Sequence, residues 1–163
     1  MIQAWAQVSV AIQPGLPPPC RILVADEDAE MLRLNMETLN GAGYDVDAAS
    51  NGVVAWNAIQ SDHYDLFLTE NCLPRLSGLD LLRNIHIAEI ELPVIMVTGQ
   101  PPMERLRRPP CRQIAAILLK PYTADELLAV VKNVLYAVEI EPDQIVLPPV
   151  WQGRPPSGGE MRP

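Results

Sequence analysis

Polar side chains that suit charge-based chemistry follow four short apolar runs of the chain. In chain order they are Asp26 with Glu27, then Glu70, Thr98 and Lys120. Three carboxylates in one place repel one another and have raised pKa values unless a cation compensates. That cation is either a divalent ion or the ammonium group of Lys120. Oxygen ligands of this kind suit Mg²⁺ rather than zinc or copper.

These side chains come together only if the apolar runs before them are strands of one parallel sheet. Between residues 21 and 136, runs typical of strands alternate with helical patterns, such as Leu32, Met36 and Leu39 at i, i+4 and i+7. The predicted strands cover residues 22–25, 44–48, 66–69, 94–97 and 116–119. In open parallel sheets, ligands bind beyond the carboxyl ends of the strands, which is where the polar side chains stand.

The alternation of strands and helices predicts the fold class. Five strands, each followed by a helical segment, indicate an α/β fold with a doubly wound, five-stranded parallel sheet covered on both faces. Proline pairs on both sides of residues 103–108 leave little room for a regular helix, so we expect an irregular fourth helix. Thr123 and Glu126 have the spacing of a capping box at the start of the last helix.

A simpler explanation exists for any single acidic residue in this pattern. An acidic first turn complements the partial positive charge at a helix N-terminus, and we prefer this explanation for Asp28. The remaining side chains need several independent coincidences to arise in that way, so we interpret them as one site. They are Asp26, Glu27, Glu70, Thr98 and Lys120.

Composition limits the organisation of the chain and the class of its partners. A chain of 163 residues that is 48% hydrophobic fits one core plus appendages. We therefore divide it into an N-terminal extension (1–20), a domain (21–136) and a Pro/Gly-rich tail (137–163). The net charge of −8 disfavours nucleic acid, and no run approaches the ~20 apolar residues of a membrane span. Three cysteines without metal-ligand spacing fit a reducing, cytoplasmic setting.

Several short motifs occur in the order and spacing of the receiver domains of two-component response regulators. They are Ile22-Leu-Val-Ala-Asp-Glu27, Ala49-Ser-Asn-Gly52, Tyr64-Asp-Leu-Phe-Leu-Thr69, Leu73-Pro74 with Ser77-Gly78, Val97-Thr-Gly99 and Lys120-Pro121. Over residues 21–136 the chain thus resembles a receiver. The resemblance implies a flavodoxin-like sheet with strand order 2-1-3-4-5. It also implies a non-enzymatic role in phosphorelay signal transduction, with a sensor histidine kinase or another signalling protein as partner.

The resemblance also implies a role for each site residue. In that family an aspartate three residues before Leu73 accepts a phosphoryl group, and this chain has Glu70 there. Thr98 would contact the phosphoryl oxygens, and Lys120 would neutralise charge. A weakly held Mg²⁺ would have four ligands, namely Asp26, Glu27, Glu70 and the backbone carbonyl of Cys72.

The glutamate predicts altered signalling. Phosphoryl transfer depends on positioning, and the extra methylene of Glu70 displaces the carboxylate, so we expect no efficient phosphorylation. One carboxylate is also a poor copy of a phosphoryl group, which favours a fixed binding module over a constitutive mimic. Ile117 stands where receivers commonly place an aromatic switch residue, which points the same way. Two alternatives stay open, namely a functional phosphoacceptor and a small-molecule, flavin-like binding module.

Two other segments bear on partners. The segment of the fourth unit is rich in arginine, and it is either a docking face for an acidic partner or a solvated basic loop. The docking face would consist of Arg105, Arg107, Arg108, Arg112 and Ile117. Residues 1–13 alternate in polarity, which predicts either an extra strand or a disordered leader. A homodimer would use that strand or the face of the fourth and fifth units.

The 27 residues after Tyr136 are too few for an output domain, so we expect a single-domain receiver.

Overall fold

A parallel sheet forms the centre of the molecule. The computed structural model describes residues 19–100, 114–140 and 150–151, and these contain six strands and four helices. The strands are β1 (Arg21–Ala25), β2 (Asp45–Ala49), β3 (Leu66–Glu70), β4 (Val94–Thr98), β5 (Ile114–Leu119) and β6 (Val150–Trp151). The helices are α1 (Ala29–Gly41), α2 (Gly52–Ser61), α3 (Gly78–Ile87) and α4 (Ala124–Ile140).

The order of the strands confirms the predicted fold. They lie in the order β2-β1-β3-β4-β5-β6, and every neighbouring pair is parallel. The first five strands therefore have the predicted order 2-1-3-4-5. Beyond these five, the two-residue strand β6 lies at the edge of the sheet, where Val150 and Trp151 pair with Ile117 and Leu118 of β5.

One boundary differs from the predicted one, and two predictions fall outside the described residues. The last helix continues to Ile140, past residue 136, where the sequence placed the end of the domain. The irregular fourth helix was predicted at residues 103–108, and the N-terminal strand within residues 1–13. Both segments lie outside the described residues.

The strands are apolar because helices cover both faces of the sheet. All five residues of β3 and all five of β4 are buried. Alternate residues of each strand point to opposite faces. Leu23 of β1 and Phe67 of β3 pack in the core layer beneath α2 and α3, whereas Ile22 and Leu68 pack in the layer beneath α1 and α4.

Side-chain caps fix where the helices begin. Asp28 is the N-cap of α1, and its carboxylate accepts hydrogen bonds from the backbone N–H groups of Glu30 (2.9 Å) and Met31 (3.2 Å). This confirms the structural role preferred for Asp28. The capping box of α4 is also confirmed, since the Thr123 N–H donates to Glu126 Oε2 (2.7 Å) and the Glu126 N–H donates to Thr123 Oγ1 (3.2 Å).

Candidate functional site

The predicted site residues lie along the carboxyl edge of the sheet. Asp26 follows β1, Glu70 ends β3, Thr98 ends β4 and Lys120 follows β5. Because β1, β3, β4 and β5 are consecutive neighbours in the sheet, these four side chains stand side by side. Asp26, Glu70 and Thr98 are buried, with 3%, 8% and 3% of their surface exposed. Glu27 differs from the other predicted site residues, because it is exposed.

Lys120 joins the two buried carboxylates. Its Nζ lies 2.6 Å from Glu70 Oε2 and 3.2 Å from Asp26 Oδ2. Burial lowers the pKa of Lys120, but the hydrogen bonds and negative charges of Glu70 and Asp26 outweigh this effect and raise the pKa overall. Lys120 is therefore a cation at neutral pH. Of the two cations that the sequence left open, the structure shows the ammonium group between the carboxylates.

The other carboxylate oxygens are bonded to backbone amides. Glu70 Oε1 accepts a hydrogen bond from the N–H of Asn71 at 2.8 Å and a longer one from the N–H of Cys72 at 3.4 Å. Asp26 Oδ1 accepts from the N–H of Asp28 at 2.9 Å. Each of the four carboxylate oxygens of Asp26 and Glu70 thus has a hydrogen-bond or ion-pair partner.

A close backbone contact holds the loop after β3 in place. The N–H of Gly78 donates to the carbonyl oxygen of Asn71 at 2.9 Å. A Cβ atom at residue 78 would lie 2.6 Å from the carbonyl oxygen of Glu70, so only glycine allows the start of α3 to pack against the end of β3. Arg75 in the same loop has a φ of 69°, in the left-handed region. The loop therefore presents its amides to Glu70 in one tightly packed conformation.

The Thr98 hydroxyl is engaged with the loop that follows β4. Its Oγ1 donates to the carbonyl oxygen of Gln100 at 3.2 Å and accepts from the N–H of Gln100 at 3.3 Å. The Thr98 carbonyl accepts from the N–H of Lys120 at 3.0 Å, which ties the ends of β4 and β5 together. Ile117 is buried in the sheet, with 1% of its surface exposed.

Comparisons of the sequence and of the fold with known proteins identify the family. The family model of the response regulator receiver domain matches residues 22–132. The chain belongs to this family. The receiver from Methanospirillum hungatei JF-1, described as CheY-like, has a similar solved structure, with a TM-score of 0.70 and 28% sequence identity. That match covers 76% of this chain and 98% of the other.

Curated relatives place the receiver in proteins of very different length. This chain is 32% identical over 112 residues to the sensor protein EvgS of Escherichia coli K12. The match covers 69% of this chain and 9% of EvgS. It is 28% identical over 117 residues to the response regulator receiver protein CpdR of Brucella abortus, which covers 72% of this chain and 98% of CpdR. The chain spans 53% of the response regulator MprA of Mycobacterium ulcerans. These matches give no support to the flavin-like alternative.

The receiver site includes a hydrogen bond that the sequence analysis missed. The Tyr122 hydroxyl, two residues after Lys120, donates to Asn35 Oδ1 of α1 at 3.0 Å. Asn35 is 4% exposed, and burial raises the pKa of Tyr122. Asn35 lies between Leu32 and Leu39 in the apolar stripe of α1, and a polar residue in such a stripe was the available signal. This bond ties the loop that carries Lys120 to the helix that follows Asp26.

The side chains at this site do not form a metal cage. Receiver domains typically bind Mg²⁺ at the acidic site, and the oxygen donors present are of the right type. In the part of the chain that the structure describes, however, no three acidic, histidine or cysteine side chains lie close enough to hold an ion. Glu27 is exposed, and Lys120 occupies the space between Asp26 and Glu70. The ligand set of Asp26, Glu27, Glu70 and the Cys72 carbonyl stays a prediction.

Some predicted interaction features are not covered by the structure. Arg105, Arg107, Arg108 and Arg112 of the predicted partner face lie outside the described residues. Ile117, the fifth member of that face, is described and is buried rather than on the surface. In the described ranges, no helix is long and apolar enough to cross a membrane.

Proposed function

We propose that this chain is an atypical receiver that signals through protein–protein contacts, without a conventional phosphorylation cycle. The observation that carries the proposal is Glu70 itself. It ends β3 at the edge of the sheet where the family resemblance puts the acceptor aspartate, and its carboxylate lies 2.6 Å from Lys120. The burial of Asp26 and Thr98 at the same edge, and the ion pair of Lys120 with Glu70, support the proposal.

Two physical reasons make Glu70 a poor phosphoryl acceptor. The transfer needs an in-line approach to the carboxylate, and an error of an ångström costs about 100-fold in rate. Glutamate introduces such an error through its extra methylene. In addition, one oxygen is held by Lys120 and the other by the amides of Asn71 and Cys72, so an attacking oxygen has to leave these partners first.

The same contacts favour a fixed binding module over a constitutive mimic of the phosphorylated state. Glu70 carries one negative charge and two oxygens, compared with about −1.5 to −2 and three oxygens for a phosphoryl group. Both oxygens are used inside the site, and the Thr98 hydroxyl is bonded to Gln100. In the described residues the Thr98 hydroxyl is bonded to its own loop, which favours the character of a resting state.

Partners follow from the family. Sensor proteins and response regulators are among the relatives, which supports a sensor histidine kinase or another signalling protein as partner. An acidic partner for the arginines of residues 105–112, and a homodimer through residues 1–13 or the face of the fourth and fifth units, remain part of the proposal. Mg²⁺ would bind only weakly, with Asp26, Glu27, Glu70 and the Cys72 carbonyl as its ligands.

Phosphoryl labelling tests the central claim. The full chain is incubated with acetyl phosphate and Mg²⁺, and intact mass is measured over time. We expect no gain of a phosphoryl group for the parent and a clear gain for Glu70→Asp, in which the carboxylate has the family's length. Glu70→Gln is the matched control, because it keeps the length and lacks the nucleophile. Stoichiometric, Mg²⁺-dependent labelling of the parent at Glu70 contradicts the proposal and supports a functional phosphoacceptor.

Partner retention separates the fixed module from the mimic. The parent, Glu70→Asp and Glu70→Gln are used as bait in parallel, and the proteins that each retains are quantified. A fixed module retains the same partners when Gln replaces Glu. A partner that the parent retains and that Glu70→Gln loses would instead indicate charge mimicry.

A further inference from the structure

We infer that Lys120 takes the place of a divalent cation in this receiver, and that the length of Glu70 makes the replacement complete. The inference rests on the proposed function, because it explains how a site without a phosphorylation cycle keeps two buried carboxylates stable. It assigns to this chain a site whose charge balance is independent of Mg²⁺.

The geometry of the ammonium group is the first step. Lys120 Nζ lies 2.6 Å from Glu70 Oε2 and 3.2 Å from Asp26 Oδ2, so one cation serves both acids. The two carboxyl side chains are 9% and 4% exposed, and water therefore contributes little to their neutralisation. A buried carboxylate without a cation is costly, so the position between them has to be filled by positive charge.

The second step is the use of the remaining oxygens. The oxygens that face away from Lys120 accept backbone hydrogen bonds, from Asn71 and Cys72 on Glu70 and from Asp28 on Asp26. A metal ion at the same place has to displace the ammonium group or share these oxygens with it. Sharing is unfavourable, because a divalent ion a few ångströms from a fixed positive charge is strongly repelled inside a protein.

The third step is the role of side-chain length. Glutamate extends about 1.5 Å farther than aspartate, the length of one carbon–carbon bond. That bond is what allows the carboxylate of Glu70 to reach Lys120 while its other oxygen stays on the loop amides. Glu27 is exposed and supplies no charge between the two acids. An aspartate at position 70 withdraws from Lys120, and the space that it leaves suits a hydrated Mg²⁺ ion.

The thermal midpoint of the full chain in Mg²⁺ tests this directly. Ligands that bind only the folded state raise Tm, so Tm is measured in about 10 mM MgCl₂ and in NaCl of equal ionic strength. We expect no difference for the parent and a rise of about 5 °C for Glu70→Asp. Lys120→Met removes the cation and leaves both carboxylates, and we expect its Tm also to rise in MgCl₂ but not in NaCl. Glu70→Gln, with the same length and one charge fewer, should show no rise.

The possible outcomes separate this inference from the proposed function. A parent whose Tm rises in MgCl₂ as much as that of Glu70→Asp overturns the inference, because the ammonium then does not exclude the ion. An unchanged Tm for both Glu70→Asp and Lys120→Met also overturns it, since neither side-chain length nor the ammonium is then the cause. Phosphoryl labelling is read separately by mass. If the parent is labelled but its Tm does not change in MgCl₂, the proposed function alone is wrong. If the parent is not labelled but its Tm rises in MgCl₂, this inference alone is wrong.

Discussion

The two edges of the sheet both carry clustered charges, but they bury those charges to different degrees. At the carboxyl edge, Lys120 pairs with two acids whose side chains are 4% and 9% exposed. At the amino edge, Arg21 pairs with Asp47 at 2.6 Å and with Asp62 at 3.2 Å, and these acids are 42% and 47% exposed. The shortest ion pair is therefore the same length on both edges.

This difference shows that ion-pair distance does not rank the energetic importance of charge clusters. Exposed pairs are screened by water and salt and stabilise proteins little. Breaking a buried pair leaves an uncompensated charge and is strongly destabilising. The Arg21 guanidinium also lies over the Tyr64 ring, 4.9 Å from its centre. We therefore expect the loss of an ion pair to cost more stability at the carboxyl edge than at the amino edge.

The largest effect should come from Lys120→Met in metal-free buffer. The substitution keeps an apolar stem of similar length and leaves Asp26 and Glu70 buried without a cation. We expect the free energy of unfolding to fall by roughly 3 kcal/mol, near the lower end for a broken buried pair because Lys120 is 28% exposed. Urea denaturation at neutral pH measures it. The double variant Lys120→Met with Glu70→Gln is the control and should recover part of the loss; no recovery would mean that charge is not the cause.

A moderate effect should come from Tyr122→Phe at the same edge. The change leaves the buried Asn35 Oδ1 without its 3.0 Å hydrogen bond, which costs about 1–2 kcal/mol of unfolding free energy. Tyr136→Phe is the matched control, because Tyr136 is 66% exposed and should change stability little. If both variants lose the same stability in urea denaturation, the Asn35 contact does not stabilise the loop of Lys120.

At the amino edge, Tyr64 should make stability depend on alkaline pH. Burial and the 2.8 Å hydrogen bond that its hydroxyl donates to Asp47 raise the pKa of Tyr64 from 10.0 to about 12. A folded-state pKa above the unfolded value gives stability that is fully present below pH 10 and is lost as pH rises toward 12. Urea denaturation from about pH 9 to about pH 11.5 should show a shallower decline for Tyr64→Phe than for the parent. Parallel declines would contradict the assignment.

The smallest effect should come from Arg21→Met at the amino edge. Its partners are exposed, so the loss of stability at neutral pH should be well below that of Lys120→Met, and added NaCl should shrink it further. The difference between parent and variant is measured by urea denaturation at low and high salt. If the loss is as large as that of Lys120→Met and does not change with salt, the exposed ion pairs of Arg21 stabilise the protein as much as the buried ones of Lys120, and the expected difference between the two edges is wrong.

Local sequence patterns were enough to predict the elements of this protein and most residues of its site. Period-two and period-3.6 patterns act over neighbouring residues, so they located the first five strands and the four helices of the described residues. Caps are also local, which is why the Thr123–Glu126 box was predicted correctly and why Asp28 was placed at a helix N-terminus. Parallel strands place their carboxyl ends at one edge, so the sequence also predicted that Asp26, Glu70, Thr98 and Lys120 meet.

The ion-pair and hydrogen-bond partners of these side chains depend on how distant parts of the chain pack. The choice of Lys120 as the cation depends on a distance between residues 94 apart in the sequence, and the Tyr122–Asn35 bond joins residues 87 apart. The exposure of Glu27 and the pairing of β6 with β5 likewise depend on how finished elements pack. Periodicity carries no information on such separations. Burial and contact across the assembled sheet, which exist only after folding, therefore determined how this receiver balances its charges.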